Sequence, residues 1–140
     1  MARRPAAAPP PRPTEAELEI LGILWKHGPS TVRAVHDAMA GSRLVGYTTV
    51  LKLLQIMAEK GLVRRNETER AHVYAASAPA ERTQRRLVSD LLDRAFAGSA
   101  ARLVQQALSS RRASSEEIAN IRRLLDHMED DMEKERGNRS

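Results

Sequence analysis

Apolar positions in the first half of the chain recur at helical spacing, then give way to short extended runs. Thr14 followed three residues later by Glu17 makes a capping box, in which each side chain satisfies a backbone amide at a helix start. Leu18, Leu21, Ile23, Leu24 and Trp25 continue from it as an apolar stripe, and His27-Gly28-Pro29 ends the helix. A second, shorter helix is capped by Ser30 or Thr31, carries Val32, Val35 and Met39 on one face, and stops at Gly41. Residues 42–46 connect it to a third helix, predicted from Tyr47 to Lys60. Val50, Leu53, Leu54 and Met57 form its buried face at i, i+3, i+4, i+7 spacing, and Gly61 is its stop. The period then shortens. Residues 62–65 and 71–74 read as two strands joined by a polar turn over residues 66–70.

Beyond Pro79 the helical period returns. Leu87, Val88, Leu91, Leu92, Ala95 and Phe96 stripe one helix, Gly98-Ser99 breaks it, and Leu103, Val104, Ala107 and Leu108 stripe the next. Ser114 with Glu117 makes another capping box, and Ile118, Ile121, Leu125, Met128 and Met132 then alternate three and four apart as an a/d seam. Three amphipathic helices of this length cannot bury all these stripes against one another and a small head. They read as a dimerisation arm whose contacts are Leu87, Leu91, Phe96, Leu103, Val104, Ile118, Ile121, Leu125 and Met128. The plainer alternative is that they close a monomeric helical core. The fold class is therefore mainly α with a small β-hairpin: an N-terminal winged helix-turn-helix followed by a C-terminal helical dimerisation region. The expected divisions are a disordered Pro/Ala/Arg tail over residues 1–13, a DNA-binding domain over 14–78, the helical region over 79–133 and a flexible tail over 134–140.

Composition narrows the function classes. No cysteine is present among the 140 residues, which excludes disulfides, thiolate zinc sites and cysteine nucleophiles, and a reducing cytoplasm fits. No apolar run is long enough to span a membrane, and the Pro/Ala/Arg N-terminus is not a secretory signal. The net charge of +5 suggests a polyanionic partner, but Arg3, Arg4 and Arg12 supply much of it from the tail, so placement matters more than the total. An enzyme would show a set of reacting groups, and no Gly-rich phosphate loop or G-x-S-x-G elbow occurs. The four histidines, His27, His36, His72 and His127, lack H-x-x-x-H spacing. His127 near Asp130 and Asp131 reads as an exposed acidic face rather than a metal site. No catalytic set, cofactor, metal or small-molecule substrate is expected.

The third helix carries the informative face. Burying its apolar stripe turns Thr48, Thr49, Lys52, Gln55 and Glu59 to solvent. Thr and Gln hydrogen-bond base edges, threonine methyls meet thymine methyls, and Lys reaches guanine or phosphate. Any surface helix is polar outside, so the face alone is neutral. Arg64, Arg65, Arg70 and His72 on the adjoining hairpin tip the balance, because a wing lies beside the recognition helix and meets the phosphate backbone. Ser30 and Thr31 offer hydroxyls and helix N–H groups to a phosphate, although capping explains them equally. Trp25 reads as core, Tyr47 as a cap or phosphate contact, and Tyr74 as packing of the wing.

Three segments resemble the penicillinase-repressor family (BlaI/MecI type, with copper-responsive repressors as relatives). They are Thr14-Glu15-Ala16-Glu17-Leu18-Glu19-Ile20-Leu21 leading to Leu24-Trp25; Tyr47-Thr48-Thr49-Val50 running on to Glu59-Lys60-Gly61-Leu62-Val63; and the wing end His72-Val73-Tyr74. Phe96-Ala97-Gly98-Ser99, Leu103-Val104 and Ser115-Glu116-Glu117-Ile118 support it. The resemblance implies a homodimer on palindromic double-stranded operators ahead of resistance genes, released when a membrane-bound sensor protease, activated by a β-lactam, causes cleavage in the C-terminal region. By position it puts Thr48, Thr49 and Lys52 at the DNA and Arg64 to His72 in the wing. The chain departs from the family pattern at Leu51 and Ile56, where relatives carry basic residues, and at Gln106-Ala107, which stands where the scissile Asn-Phe bond aligns. The Cys-rich copper tail is missing. Leu51 and Ile56 favour the alternative of a winged-helix protein-interaction adaptor with weak or no DNA binding.

Overall fold

The structure, a computed structural model, describes residues 11–40, 45–68, 70–111 and 113–139. Most of the tail expected over residues 1–13, the Gly41 stop and most of the 42–46 connection lie outside the described residues.

Helix α1 (Glu15–His27) begins at the expected capping box. The Thr14 hydroxyl accepts from the Glu17 N–H at 3.3 Å, and the Glu17 carboxylate accepts from the Thr14 N–H at 2.9 Å. Gly28 ends it with φ 81°, a left-handed value that a side chain resists, and donates its N–H to Leu24 O at 2.8 Å. The buried face is not the expected stripe. Glu17, Ile20, Leu21 and Leu24 are buried at i, i+3, i+4, i+7 spacing, while Leu18, Ile23 and Trp25 are half-buried. Helical geometry puts Ile20 inward, and a carboxylate completes the row. Trp25 keeps its indole N–H at the edge of the core, donating to Ala78 O at 3.0 Å.

Ser30–Thr31 form a short strand, β1, ahead of helix α2 (Val32–Met39), and Thr31 is the N-cap, accepting from the Ala34 N–H at 3.1 Å. Val32, Val35 and Met39 are buried, as the pattern requires. Helix α3 (Tyr47–Lys60) has the expected bounds, buries Val50, Leu54 and Met57, leaves Leu53 half-buried, and stops at Gly61 with φ 82°. The strands β2 (Val63–Asn66) and β3 (Val73–Ala76) start later than their apolar alternation suggests. Leu62 belongs instead to the helix stop, its N–H donating to Met57 O at 2.9 Å. Ala71 and His72 fall in the turn. β3 is central, paired antiparallel with β2 (Arg65 opposite Tyr74) and with β1 (Ser30 opposite Tyr74), so the wing is a three-stranded sheet of order β1-β3-β2. Tyr74, wholly buried, joins the sheet to the α1–α3 core.

One charged side chain enters that core. Glu17 is 1% exposed and receives Lys60 Nζ on both carboxylate oxygens, at 2.9 and 3.0 Å. Burial pushes its pKa up, but the Thr14 N–H, the Lys60 ammonium and the Thr14 hydroxyl together outweigh burial and hold it below the ordinary carboxylate value.

The described chain divides after Asp90, within helix α4 (Ala80–Ala95), into two compact units. Helix α5 (Ala100–Ser110) starts at Ser99 after the Ala97-Gly98 turn, and helix α6 (Ser115–Asn138) starts at Ser114, whose hydroxyl accepts from the Glu117 N–H at 3.1 Å. Helix α6 runs through residues 134–138, expected as a flexible tail. Glu133 to Arg136 are good helix formers, and Asp130 stands one turn before Lys134. No described residue of α4, α5 or α6 is buried.

Replacing Glu17 with Gln should lower the unfolding free energy by roughly 1–3 kcal/mol, the cost of leaving buried partners poorly matched, as read by urea denaturation. The depressed pKa contributes stability that is fully present above the unfolded value of about 4.3 and is lost as pH falls below it. The variant should therefore show a shallower acid limb; an unchanged limb would place the pH dependence elsewhere.

Candidate nucleic-acid interface

The solvent face of α3 is the one the pattern requires: Thr48, Thr49, Lys52, Gln55 and Glu59 are all exposed. Its N-terminus is open. Gly46 supplies no side-chain cap, the first turn holds no acid, and Tyr47 is 46% exposed beside it. Unpaired N–H groups at the positive end of a helix dipole attract phosphate oxygens. The other end differs, because Gln55, Ala58 and Glu59 share a recess with Arg65 and Glu67, where acids balance the cation.

Thr31, Arg33, Tyr47, Arg70 and His72 line one groove between α2, the start of α3 and the wing turn. Four of these, Thr31, Tyr47, Arg70 and His72, were marked from the sequence. Arg33 was missed. It is the exposed second residue of α2, in a first turn without acids, but no periodic pattern singles it out. Leu51 lines the same groove while packing on the core, and Ile56 is half-buried. Packing thus accounts for Leu51, one of the two apolar residues on which the adaptor reading rested. A second missed residue positions the helix. His36 bonds Val45 O through Nε2 at 2.8 Å, and its ring meets Tyr47 edge-on with centroids 6.1 Å apart.

Two of the expected contacts have partners within the fold. Ser30 is 9% exposed in β1 and its hydroxyl donates to Gly28 O at 2.8 Å, which gives it a structural role. Arg65 lies opposite Tyr74 in the sheet and pairs with Glu67. The ion pair with Glu67 engages its charge within the wing. Arg64 alternates to the other sheet face and is exposed.

In the helical region Leu91, Val104, Ile118, Leu125 and Met128 are exposed, whereas Leu87, Phe96, Leu103 and Ile121 are half-buried. Leu124, 60% exposed, was missed because it lies beside the seam rather than on it. Gln106 and Ala107 are exposed side chains within α5.

Comparison with known proteins adds a family. A family model described as "Penicillinase repressor" matches residues 13–127. Two curated proteins named transcriptional regulator BlaI, from two strains of Mycobacterium tuberculosis, are each 42% identical over 62 residues, which is 44% of this chain. The match spans 45% of their length, so under half of those relatives is represented. A solution structure of the Bacillus licheniformis BlaI monomeric form in complex with the blaP half-operator is 22% identical, with a TM-score of 0.45, over 51% of this chain and 87% of that one.

The geometry separates structural from surface threonines. Thr31→Ala removes the α2 cap and should cost about 1 kcal/mol in urea unfolding. Thr48→Ala and Thr49→Ala, on the exposed face, should stay within about 0.5 kcal/mol of the parent.

Proposed function

Since the chain belongs to the penicillinase-repressor family, we propose that it is a sequence-specific transcriptional repressor that grips a palindromic operator as a homodimer. The observation that carries this reading is the junction of an open, acid-free α3 N-terminus with a groove lined by Arg33, Arg70 and His72. In a major groove, Thr48, Thr49, Lys52 and Gln55 meet base edges, with the first two nearest. Arg33, Arg64, Arg70, His72, Thr31 and the Tyr47 hydroxyl meet phosphates, fixing register without reading sequence.

Dimerisation is supported by the apolar surface of the arm. Leu124, Leu125, Met128 and Met132 of α6 are each more than half exposed, more contiguous apolar surface than a lone soluble helix ordinarily shows water. A two-fold dimer matches an operator with two-fold symmetry, and each protomer supplies one winged helix to a half-site. Release follows a signal from a membrane-bound sensor protease. The Gln106-Ala107 bond lies inside α5, so cleavage there requires the helix to open locally first.

A mobility-shift titration against the DNA upstream of the chain's own gene, repeated across salt concentrations, tests the reading. A discrete two-protomer complex is expected on a palindrome of about 20 bp. Lys52→Ala and Arg70→Ala should each lower the salt slope by about 1, and Arg65→Ala by less, because Glu67 already engages that cation. Unchanged specific binding in a Thr49→Ala/Lys52→Ala variant would remove α3 as the reader. Ile121→Glu/Leu125→Glu should yield monomers by sedimentation while the first unit stays folded; a persistent dimer would place the contact elsewhere.

A further inference from the structure

A recess of about 400 Å³ opens in the first unit between the end of α3, the end of β3 and the first half of α4, with Arg12-Pro13 along its edge. Leu21 and Leu62, 2% and 8% exposed, form its floor, and Thr83 and Leu87 face them from α4. None of its lining residues belongs to the interface described above. The neighbouring backbone is already hydrogen-bonded. The Ser77 N–H donates to Leu62 O at 3.0 Å, the Leu62 N–H to Met57 O at 2.9 Å, and the Arg82 N–H to Pro79 O at 3.1 Å. These walls therefore offer a guest apolar surface more than hydrogen bonds.

Polar chemistry is concentrated at the rim. Arg82 and Arg86 from α4 and Arg12 from the segment before α1 border the opening, and Arg12 pairs with Asp90. Close-packed interiors rarely keep a void larger than a water molecule, whereas small-molecule sites fall at about 300–1,000 Å³ and combine apolar walls with a few placed polar groups. Charge selects an anion, and the lining selects hydrocarbon behind it.

We propose that this recess binds a small amphipathic organic acid: a carboxylate on a medium-length aliphatic body. The head group sits between Arg82 and Arg86, where a guanidinium holds a carboxylate through paired hydrogen bonds, and the chain lies over Leu21, Leu62 and Leu87. Gly61 and Leu62 end α3, so the guest touches both the stop of that helix and the first half of α4.

The chain contains one tryptophan, Trp25, and its indole donates to the carbonyl of Ala78, which lines the recess. Emission from Trp25 therefore reports occupancy in the full chain. Decanoate, titrated below its micelle concentration, should shift the emission saturably, and decanol, the uncharged counterpart, should bind about ten-fold more weakly or worse. Arg82→Ala/Arg86→Ala should weaken decanoate by about the same factor and leave decanol unaffected. Thr83→Phe, which fills the recess from a half-buried position, should abolish both responses, with circular dichroism checking that each variant is folded. No saturable response, equal affinity for acid and alcohol, or undiminished binding in the Thr83→Phe variant would each overturn the proposal.

Discussion

A carboxylate that is 1% exposed must meet compensating charge and donors or leave the core, and Glu17 meets them at both ends of its reach. Its oxygens take the Thr14 N–H, which starts α1, and the Lys60 ammonium, the last residue of α3. Burial of Val50, Leu54 and Met57 contributes more free energy, about 1.5–3 kcal/mol for each side chain. That burial is non-directional, however, and tolerates a helix sliding or turning in its seat. The ion pair does not. At the opposite end His36 holds Val45 O and packs edge-on to Tyr47, so α3 is pinned by polar contacts at both termini and by apolar packing between. A helix fixed in this way presents Thr48, Thr49 and Lys52 in one direction.

The two units use apolar residues in opposite ways. In the first, α1, α2, α3 and the sheet close around Tyr74 and leave few large apolar side chains outside. In the second, α5 and α6 bury nothing completely, although their sequences are as regularly striped. Equal periodicity with unequal burial means that periodicity specifies a face and not its partner. On the dimeric reading the partner is a second copy, which ties the stability of the arm to protomer concentration while the head folds on its own core.

Much of the head was legible because its signals are local. Gly61 and a clean i, i+3, i+4, i+7 row gave α3 its bounds, and Thr14 with Glu17 gave α1 its start. What escaped depends on tertiary context. Glu17 and Ile20 displaced Leu18 and Trp25 from the buried face because a carboxylate interrupts an apolar row on paper but not in a core that also holds Lys60. The two-residue strand β1 has no period to detect, and its pairing with β3 buried Ser30. The hairpin slid along the chain because Leu62 serves the helix stop. Arg33 and His36 matter through where α2 stands against α3, which no single-chain pattern encodes. Alternation did place Arg64 and Arg65 on opposite sheet faces once the register was known, but not which of them Glu67 would engage.

That last distinction orients the proposed interface. Phosphates repel the C-terminal half of the α3 face, where Glu59 and Glu67 surround Arg65, and are attracted to the N-terminal half, which has free N–H groups, no acid in its first turn, and Arg33, Arg70 and His72 alongside. A duplex approaching this surface is thus drawn to one end of the helix rather than along its whole length. On the proposed reading Thr48 and Thr49 stand nearest the base edges, Lys52 follows one turn in, and Gln55 marks the limit of contact. Leu51, beneath them on the core side of the groove, keeps that end of the helix seated while its polar neighbours face outward.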